Sequence, residues 1–280
     1  MTHQTASIKT SDDINLFYQV WKPDQSPYCV ICLVHGIGEH SSRYRNWAKK
    51  FVANNVALLA FDQRGHGQSD GKRGVIPSYA ALLDDIDLLL LKCEDFFPNV
   101  PVILYGHSMG GGEVLSHLNN RQGIYKAVIS TSPWLIAQQS PPKFIMPLVQ
   151  ILAKLLPNLS LKTKLNADLL TQDKLVAEDY LNDPLVHPWV SFRLFYQAYQ
   201  AGYNLLNFTS PAKKPLLLLH GSADQITSHN ASQKFAGNAG QLCHLHIFEG
   251  AFHELQNEFC KDEAFDLILT WIHKNVISSL

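Results

Sequence analysis

Six stretches of this 280-residue chain are apolar without interruption, and each stops at a glycine, an aspartate or a serine. They are YCVICLVHG from Tyr28, NVALLAFDQ from Asn55, VPVILYGHS from Val100, YKAVISTSP from Tyr125, KPLLLLHGS from Lys214 and CHLHIFEG from Cys243. A strand that shows one face to water alternates polar and apolar residues; a run with no alternation is a strand buried on both faces, the signature of a parallel sheet. Amphipathic segments lie between the runs. The clearest is Ser78 to Phe97, with apolar residues at helical spacing and Pro98 closing it. Ahead of the series, SIKT and INLFYQVW alternate weakly, as a short antiparallel hairpin would. The order points to an α/β fold with one twisted, mostly parallel central sheet flanked by helices.

One segment breaks the rhythm. From Trp134 to Asn207 the chain is helical in pattern, bears prolines and contains no strand-like run, after which KPLLLLHG resumes the sheet. An insertion that returns to the same sheet reads as a helical cap over the strand ends. The expected organisation is therefore a core of residues 1–133 and 208–280, with 134–207 inserted as the cap.

Charge and cysteine content narrow the classes of function. Lys and Arg number 23 and Asp and Glu 24, so the chain lacks the basic excess that nucleic-acid partners require. No run approaches the roughly 18 apolar residues of a membrane span. The start, MTHQTASIKTSDD, is polar, and a cytoplasmic protein is expected. Five cysteines do not suggest a disulfide framework. Cys29 and Cys32 form a CxxC pair, but inside a strand that spacing puts the thiols on opposite faces, and no second pair completes a zinc site.

The strongest motif is Gly106-His107-Ser108-Met109-Gly110, directly after an apolar strand and before a helical stretch. G-x-S-x-G between strand and helix is a nucleophile elbow: a tight turn aims the serine hydroxyl out of the sheet, and glycines let strand and helix pass close to it. A serine nucleophile needs a base, and the base an orienting acid. Asp224, in HGSADQIT, and His253, in GAFHEL, come just after the strands KPLLLLHG and CHLHIFEG, in the order the motif demands, and fall at the same sheet edge as Ser108. The amide of Met109, opening the helix, is one expected oxyanion donor, and that of Ile37, in the loop CLVHGIGEH, is the other. The rivals are weaker. His107 is too close in sequence to turn back on Ser108, and His35 is read as shaping the oxyanion loop. His244 and His246 share a strand face without an evident third metal ligand, and Asp62 and Arg64 read as a structural tie in a glycine-rich loop. Chemistry of this kind requires no metal and no cofactor.

The stretches HGIGEHSSRY, FDQRGHGQSDG, GHSMGG, LLPNLSL, NDPLVH and LLLLHGSADQ run in the same order as in the monoacylglycerol lipase and lysophospholipase branch of the α/β-hydrolases, and the chain resembles that branch over nearly its whole length. The resemblance implies an α/β-hydrolase fold and a serine esterase acting on single-acyl glycerolipids, with Ser108, Asp224 and His253 as triad and Ile37 and Met109 as oxyanion amides. It also implies polar contacts to the glycerol end from Glu39, Arg43 and Tyr180. The sequence departs from the animal enzymes at His187, where they carry a cysteine. Lysophospholipase, a broad carboxylesterase or peptidase, and a non-catalytic binding protein on the same fold are the alternatives; the last usually lacks a triad member, and all three stand here.

Within the cap, KFIMPLVQILAKLL from Lys143 to Leu156 is apolar nearly all round when placed on a helix. That is more apolar surface than one packed face uses. The surplus, Leu148 and Leu152 in particular, is expected to line an acyl tunnel whose rim makes transient contact with a membrane surface.

Overall fold

The computed structural model of the chain describes residues 1–163, 165–208 and 210–278. Two antiparallel strands open it, β1 (Thr2–Lys9) and β2 (Asn15–Lys22). The doubly buried runs follow as β3 (Cys29–Val34), β4 (Val56–Phe61), β5 (Val102–His107) and β6 (Ala127–Thr131), separated by α1 (Arg45–Ala53), α2 (Tyr79–Phe96) and α3 (Met109–Asn120). Ser78 caps α2 by accepting the Ala81 amide, so the helix starts where its sequence signal lies. Beyond β6 come α4 (Met146–Leu155), β7 (Ser160–Lys162), α5 (Lys174–Asn182), β8 (Trp189–Ser191) and α6 (Phe192–Phe208). The chain closes with β9 (Leu216–Gly221), α7 (His229–Ala239), β10 (Cys243–Phe248) and α8 (Lys261–Ile272).

Eight strands make one sheet in the order β1-β2-β4-β3-β5-β6-β9-β10, and every pairing from β4 to β10 is parallel. Its two faces carry separate apolar cores. On β3, Val30, Cys32 and Val34 join one core while Cys29, Ile31 and Leu33 join the other. The CxxC thiols therefore do face opposite ways, and burial pushes the Cys29 thiol up to about 12, which leaves it unreactive. The glycine-rich stretch after β4 is tied as expected. Asp62 accepts from the Ser41 amide and hydroxyl and from the Gln68 amide, and Arg64 makes two hydrogen bonds of 2.7 Å to Asp85.

The segment between β6 and β9 differs from its sequence reading in one respect. It is not strand-free: β7 and β8 pair antiparallel, Ser160 opposite Ser191 and Lys162 opposite Trp189. Strands of three residues are too short to show a period, and their partners lie 27 to 31 residues apart, so no local pattern announces them. Among the described residues no helix is long and apolar enough to cross a membrane.

Candidate active site

The turn from β5 into α3 holds Ser108 at φ 55 and ψ −116, a backbone conformation that a residue with a side chain rarely adopts. Its neighbours must be small. A Cβ on Gly106 would stand 2.2 Å from the Gly110 carbonyl oxygen, and one on Gly110 would stand 2.3 Å from that of Val34. The two glycines of the motif thus let α3 lie against β5 and β3 and lift the serine hydroxyl above the sheet.

His253 and Asp224 meet Ser108 at that edge. His253 Nε2 lies 2.9 Å from Ser108 Oγ, and His253 Nδ1 lies 2.7 Å from Asp224 Oδ2. Both side chains are buried. Asp224 caps its own loop, with Oδ1 accepting the amides of Ile226 (2.7 Å) and Thr227 (3.0 Å). Burial alone would raise its carboxyl; the opposing charge of His253 and the hydrogen bonds from His220 and His253 outweigh burial and hold it well below the usual carboxylate range. Burial likewise opposes protonation of His253, but Asp224 beside it raises its pKa overall. His107 takes the other course: burial and the nearby His253 depress it to about 4, so it stays neutral, 4.8 Å from the His253 ring.

The two residues expected to offer oxyanion amides lie next to Ser108 in the chain and in the cavity wall. Met109 is the first residue of α3, and its N–H is one of those that no carbonyl within the helix can meet. Ile37 lines the cavity beside Ser108. The loop that carries it is held from below. His35 Nε2 accepts the Gln63 amide, and Glu39 Oε1 accepts the Gly36 amide at 2.6 Å and the Tyr44 hydroxyl at 2.9 Å.

Glu39, Arg43 and Tyr180 do come together, but inside the protein. Arg43 donates to Glu39 (2.9 Å) and twice to Glu254 (2.6 and 2.9 Å), and its guanidinium stacks 4.7 Å from the Tyr180 ring. All three are buried or nearly so, and none lines the cavity. Burial would raise Glu39; Arg43, with His107 and His35, brings it to about 2 instead. The expectation that these three read a glycerol end directly meets a buried ion pair: the charged atoms of Glu39 and Arg43 are engaged with each other, with Glu254 and with the Gly36 amide. His187, at the position of the sequence departure, donates its amide to Gly38 O (2.9 Å) and its Nε2–H to Gly65 O (3.0 Å), which pins the segment after α5 to the oxyanion loop and to the glycine-rich stretch after β4.

A cavity of about 440 Å³ opens on Ser108. Its walls are mostly apolar, with Ile37, Trp134, Val149, Leu161, Leu165, Phe192 and Phe195 among them. From α4 it is Val149 that reaches the cavity. Leu148 is 56% exposed and Leu152 is half-buried, and neither lines the cavity, so Leu148 gives way to Val149, one helical step on, and Leu152 has no counterpart in the wall. One residue along a helix turns the side chain by about 100°, enough to exchange wall for outer surface. That outer surface carries Phe144, Leu148, Ile151 and Leu155 in a row, all more than half exposed.

Several contributors escaped the sequence reading. His220 and Thr227 both bond Asp224 Oδ2, at 3.0 and 2.9 Å, and Ser132 donates to the His253 carbonyl oxygen at 2.7 Å. The histidine in LLLLHG was the available signal, four residues before the acid. His244 and His246 stay on β10, and among the described residues no group of three or more His, Cys, Asp or Glu could hold a metal ion.

The family described as serine aminopeptidase, S33, matches residues 25–259. The chain is 30% identical to the monoacylglycerol lipase of Mycolicibacterium smegmatis over 261 residues, covering 92% of this chain and 93% of that protein. It is also 30% identical to the monoglyceride lipase of Homo sapiens, over 97% of this chain and 91% of the other. A longer abhydrolase domain-containing protein of Dictyostelium discoideum is 32% identical over 279 residues, and the chain spans 30% of its length. Among solved structures, the monoacylglycerol lipase of Paleococcus ferrophilus superposes with a TM-score of 0.85 at 29% identity, over 93% of this chain and 99% of that one. The chain belongs to the serine aminopeptidase S33 family: it is a serine ester hydrolase on the α/β-hydrolase fold, with monoacylglycerol lipases among its relatives.

Proposed function

We propose that the protein hydrolyses the carboxylic ester of monoacylglycerols through an acyl-enzyme on Ser108. The observation that carries this reading is a mostly apolar cavity opening directly on a serine that is hydrogen-bonded to a buried histidine–aspartate pair. Ser108 Oγ attacks the ester carbonyl while His253 Nε2 takes its proton, and Asp224 steadies the imidazolium. The amides of Ile37 and Met109 receive the developing oxyanion. His253 returns the proton to the glycerol leaving group, and a water activated by the same histidine releases the fatty acid. The triad and the two amides supply the activation, so the mechanism calls for no metal and no cofactor.

The acyl chain occupies the cavity, where each methylene removed from water contributes about 0.8 kcal/mol. An aminopeptidase reading fits less well. It needs an anion to hold the substrate ammonium, whereas among the described lining residues the one charge is the cation of Lys162. That same lysine favours lysophospholipid as the second reading, through a phosphate head. Glu39, Arg43 and Tyr180 act from beneath by fixing the oxyanion loop. Residues 134–207 serve as the cap, and the outer row Phe144, Leu148, Ile151 and Leu155 gives transient contact with a lipid surface. Five free cysteines suit a reducing, cytoplasmic setting.

A panel of monoacylglycerol, lysophosphatidylcholine and a short nitrophenyl ester tests the assignment. The proposal expects the highest kcat/KM on monoacylglycerol. A preference for lysophosphatidylcholine would move it to the second reading, and a preference for the short ester would make it a broad carboxylesterase.

A further inference from the structure

His220 is fully buried at the end of β9, four residues before Asp224, and both its ring nitrogens are engaged. Nε2 lies 3.0 Å from Asp224 Oδ2 and Nδ1 lies 2.8 Å from the hydroxyl of Ser232 on α7. A carboxylate can only accept, so Nε2 carries the proton and Nδ1 accepts from Ser232. The oxygen it meets is the one His253 Nδ1 uses at 2.7 Å, and Thr227 Oγ1 meets it as well at 2.9 Å. Oδ1 is taken up by the two loop amides, so the whole interaction of Asp224 with its histidines passes through Oδ2.

We infer that His220 is a positioning residue that shares Asp224 Oδ2 with His253 and thereby sets the pH at which the His253 base becomes available. The inference rests on the triad reading above. Each N–H that a carboxylate oxygen accepts draws charge from its other partners. With His220 donating, Asp224 stabilises the His253 imidazolium less than it would alone. Loss of that donor leaves more of the negative charge for His253, strengthens the imidazolium and moves the acid limb of activity to higher pH.

The surrounding charges do not duplicate this control. His253 is faced by His107 at 4.8 Å between rings, and Glu254 and Glu39 add negative potential from the loop after β10 and from the oxyanion loop. His220 is faced by Asp224, by His253, and by His229 of α7 at 6.4 Å between rings; its remaining partners, Ser232 and Thr227, are uncharged. Of these groups, only His220 and His253 place a ring N–H on Asp224 Oδ2 among the described residues.

The test is the pH dependence of kcat/KM for a soluble short ester with His220→Leu, His220→Asn and His220→Gln. Leucine removes both bonds. Asparagine carries its amide at the place of Nδ1, so it keeps Ser232 and loses Asp224. Glutamine reaches the place of Nε2 and restores a donor to Asp224. The expected result is an acid limb raised by about half to one pH unit in the leucine and asparagine variants, a further three- to ten-fold loss below the limb, and a limb near wild type with glutamine. An unmoved limb in all three, with or without a common loss of rate, overturns the inference. A limb raised equally in all three also overturns it, because the donor would not be the cause. If Leu fails to fold, the Asn and Gln pair gives the same contrast. Fluorophosphonate labelling of wild type and turnover by Ser108→Ala are measured alongside. A wild type that does not label, or a serine variant that turns over, removes the triad reading itself, whatever the His220 variants do.

Discussion

The sheet and the segment that covers it obey different rules. In β3, β4 and β5 every residue is buried, and the apolar runs that announce these strands are the strands themselves. In α4, of similar apolarity, only Met146, Val149 and Ala153 are buried, while a row of large apolar side chains faces outward. Elsewhere the segment is held by apolar packing, Leu135, Leu205 and Leu206 in one core of the sheet and Val190 and Leu194 against Met109, and by polar contacts: the His187 amide to Gly38, His40 to Asp183 at 2.9 Å, the Ser191 amide to Gly74 at 2.9 Å and Arg193 to the Pro77 carbonyl at 2.7 Å. The core brings Ser108, His253 and Asp224 together at one edge of the sheet. The inserted segment lends the cavity Val149, Leu161, Val190, Phe192 and Phe195 from α4, β7, β8 and α6.

The largest effect expected lies in the core. His253→Ala should lose kcat on the order of a million-fold, and Asp224→Asn on the order of ten-thousand-fold, because the three side chains act as a unit. Steady-state rates on monoacylglycerol and on a short ester should fall together, since neither change touches the cavity walls. A loss confined to the long substrate would mean that the core and its cover are not separable in this way.

Glu39 sits on the boundary between the two. If it fixes the Gly36 amide and so the oxyanion loop, Glu39→Ala should cost about a hundred-fold in kcat/KM, comparable to losing one oxyanion donor. Long and short esters should suffer equally. A loss on monoacylglycerol that spares the short ester would give the residue back its head-group role.

The outer face of the cap should show the reverse selectivity. Leu148→Asp is expected to weaken vesicle co-sedimentation and long-chain hydrolysis about ten-fold while leaving the short ester unchanged. Unchanged vesicle binding and unchanged long-chain kcat/KM in a folded variant would reduce that face to ordinary surface.

The contrast also explains what the sequence made legible. Ser108, Asp224 and His253 were readable because each follows a strand whose apolar run is unmistakable, and the strand order then brings them to one edge. The contacts of Glu39 and Arg43 were not readable: Glu254 lies more than 200 residues away, and nothing local to GEHSSRY shows that their charges turn inward. Leu148 against Val149 was a matter of helix rotation, which depends on what α4 packs against, and an almost wholly apolar helix gives no polar face from which to choose. The β7–β8 ribbon escaped for want of length.

A smaller effect concerns stability. Glu113, on α3, is buried with both carboxyl oxygens lacking a hydrogen-bond partner among the described residues. Burial pushes its pKa well above the usual carboxylate range, and Asp85 adds to the rise. The unfolded chain ionises this group above about pH 4.3 while the native one does not. Stability is therefore lost as pH rises from there toward the native pKa. Glu113→Leu should raise the melting temperature by a few degrees, and by more at pH 8 than at pH 5. Thermal melts at the two pH values check the sign; an equal or smaller gain at pH 8 would place a counter-charge or bound proton donor beside Glu113.

Everything in the proposed reaction depends on Ser108 Oγ carrying the acyl group. Fluorophosphonate labelling followed by peptide mass mapping addresses it directly, because the reagent bonds to a serine only where a base and oxyanion donors have already activated it. The expected result is a single adduct on the peptide that contains Ser108, formed by wild type, suppressed by prior incubation with monoacylglycerol and absent from Ser108→Ala. An adduct on another residue, or a Ser108→Ala protein that still hydrolyses the ester, would contradict the account.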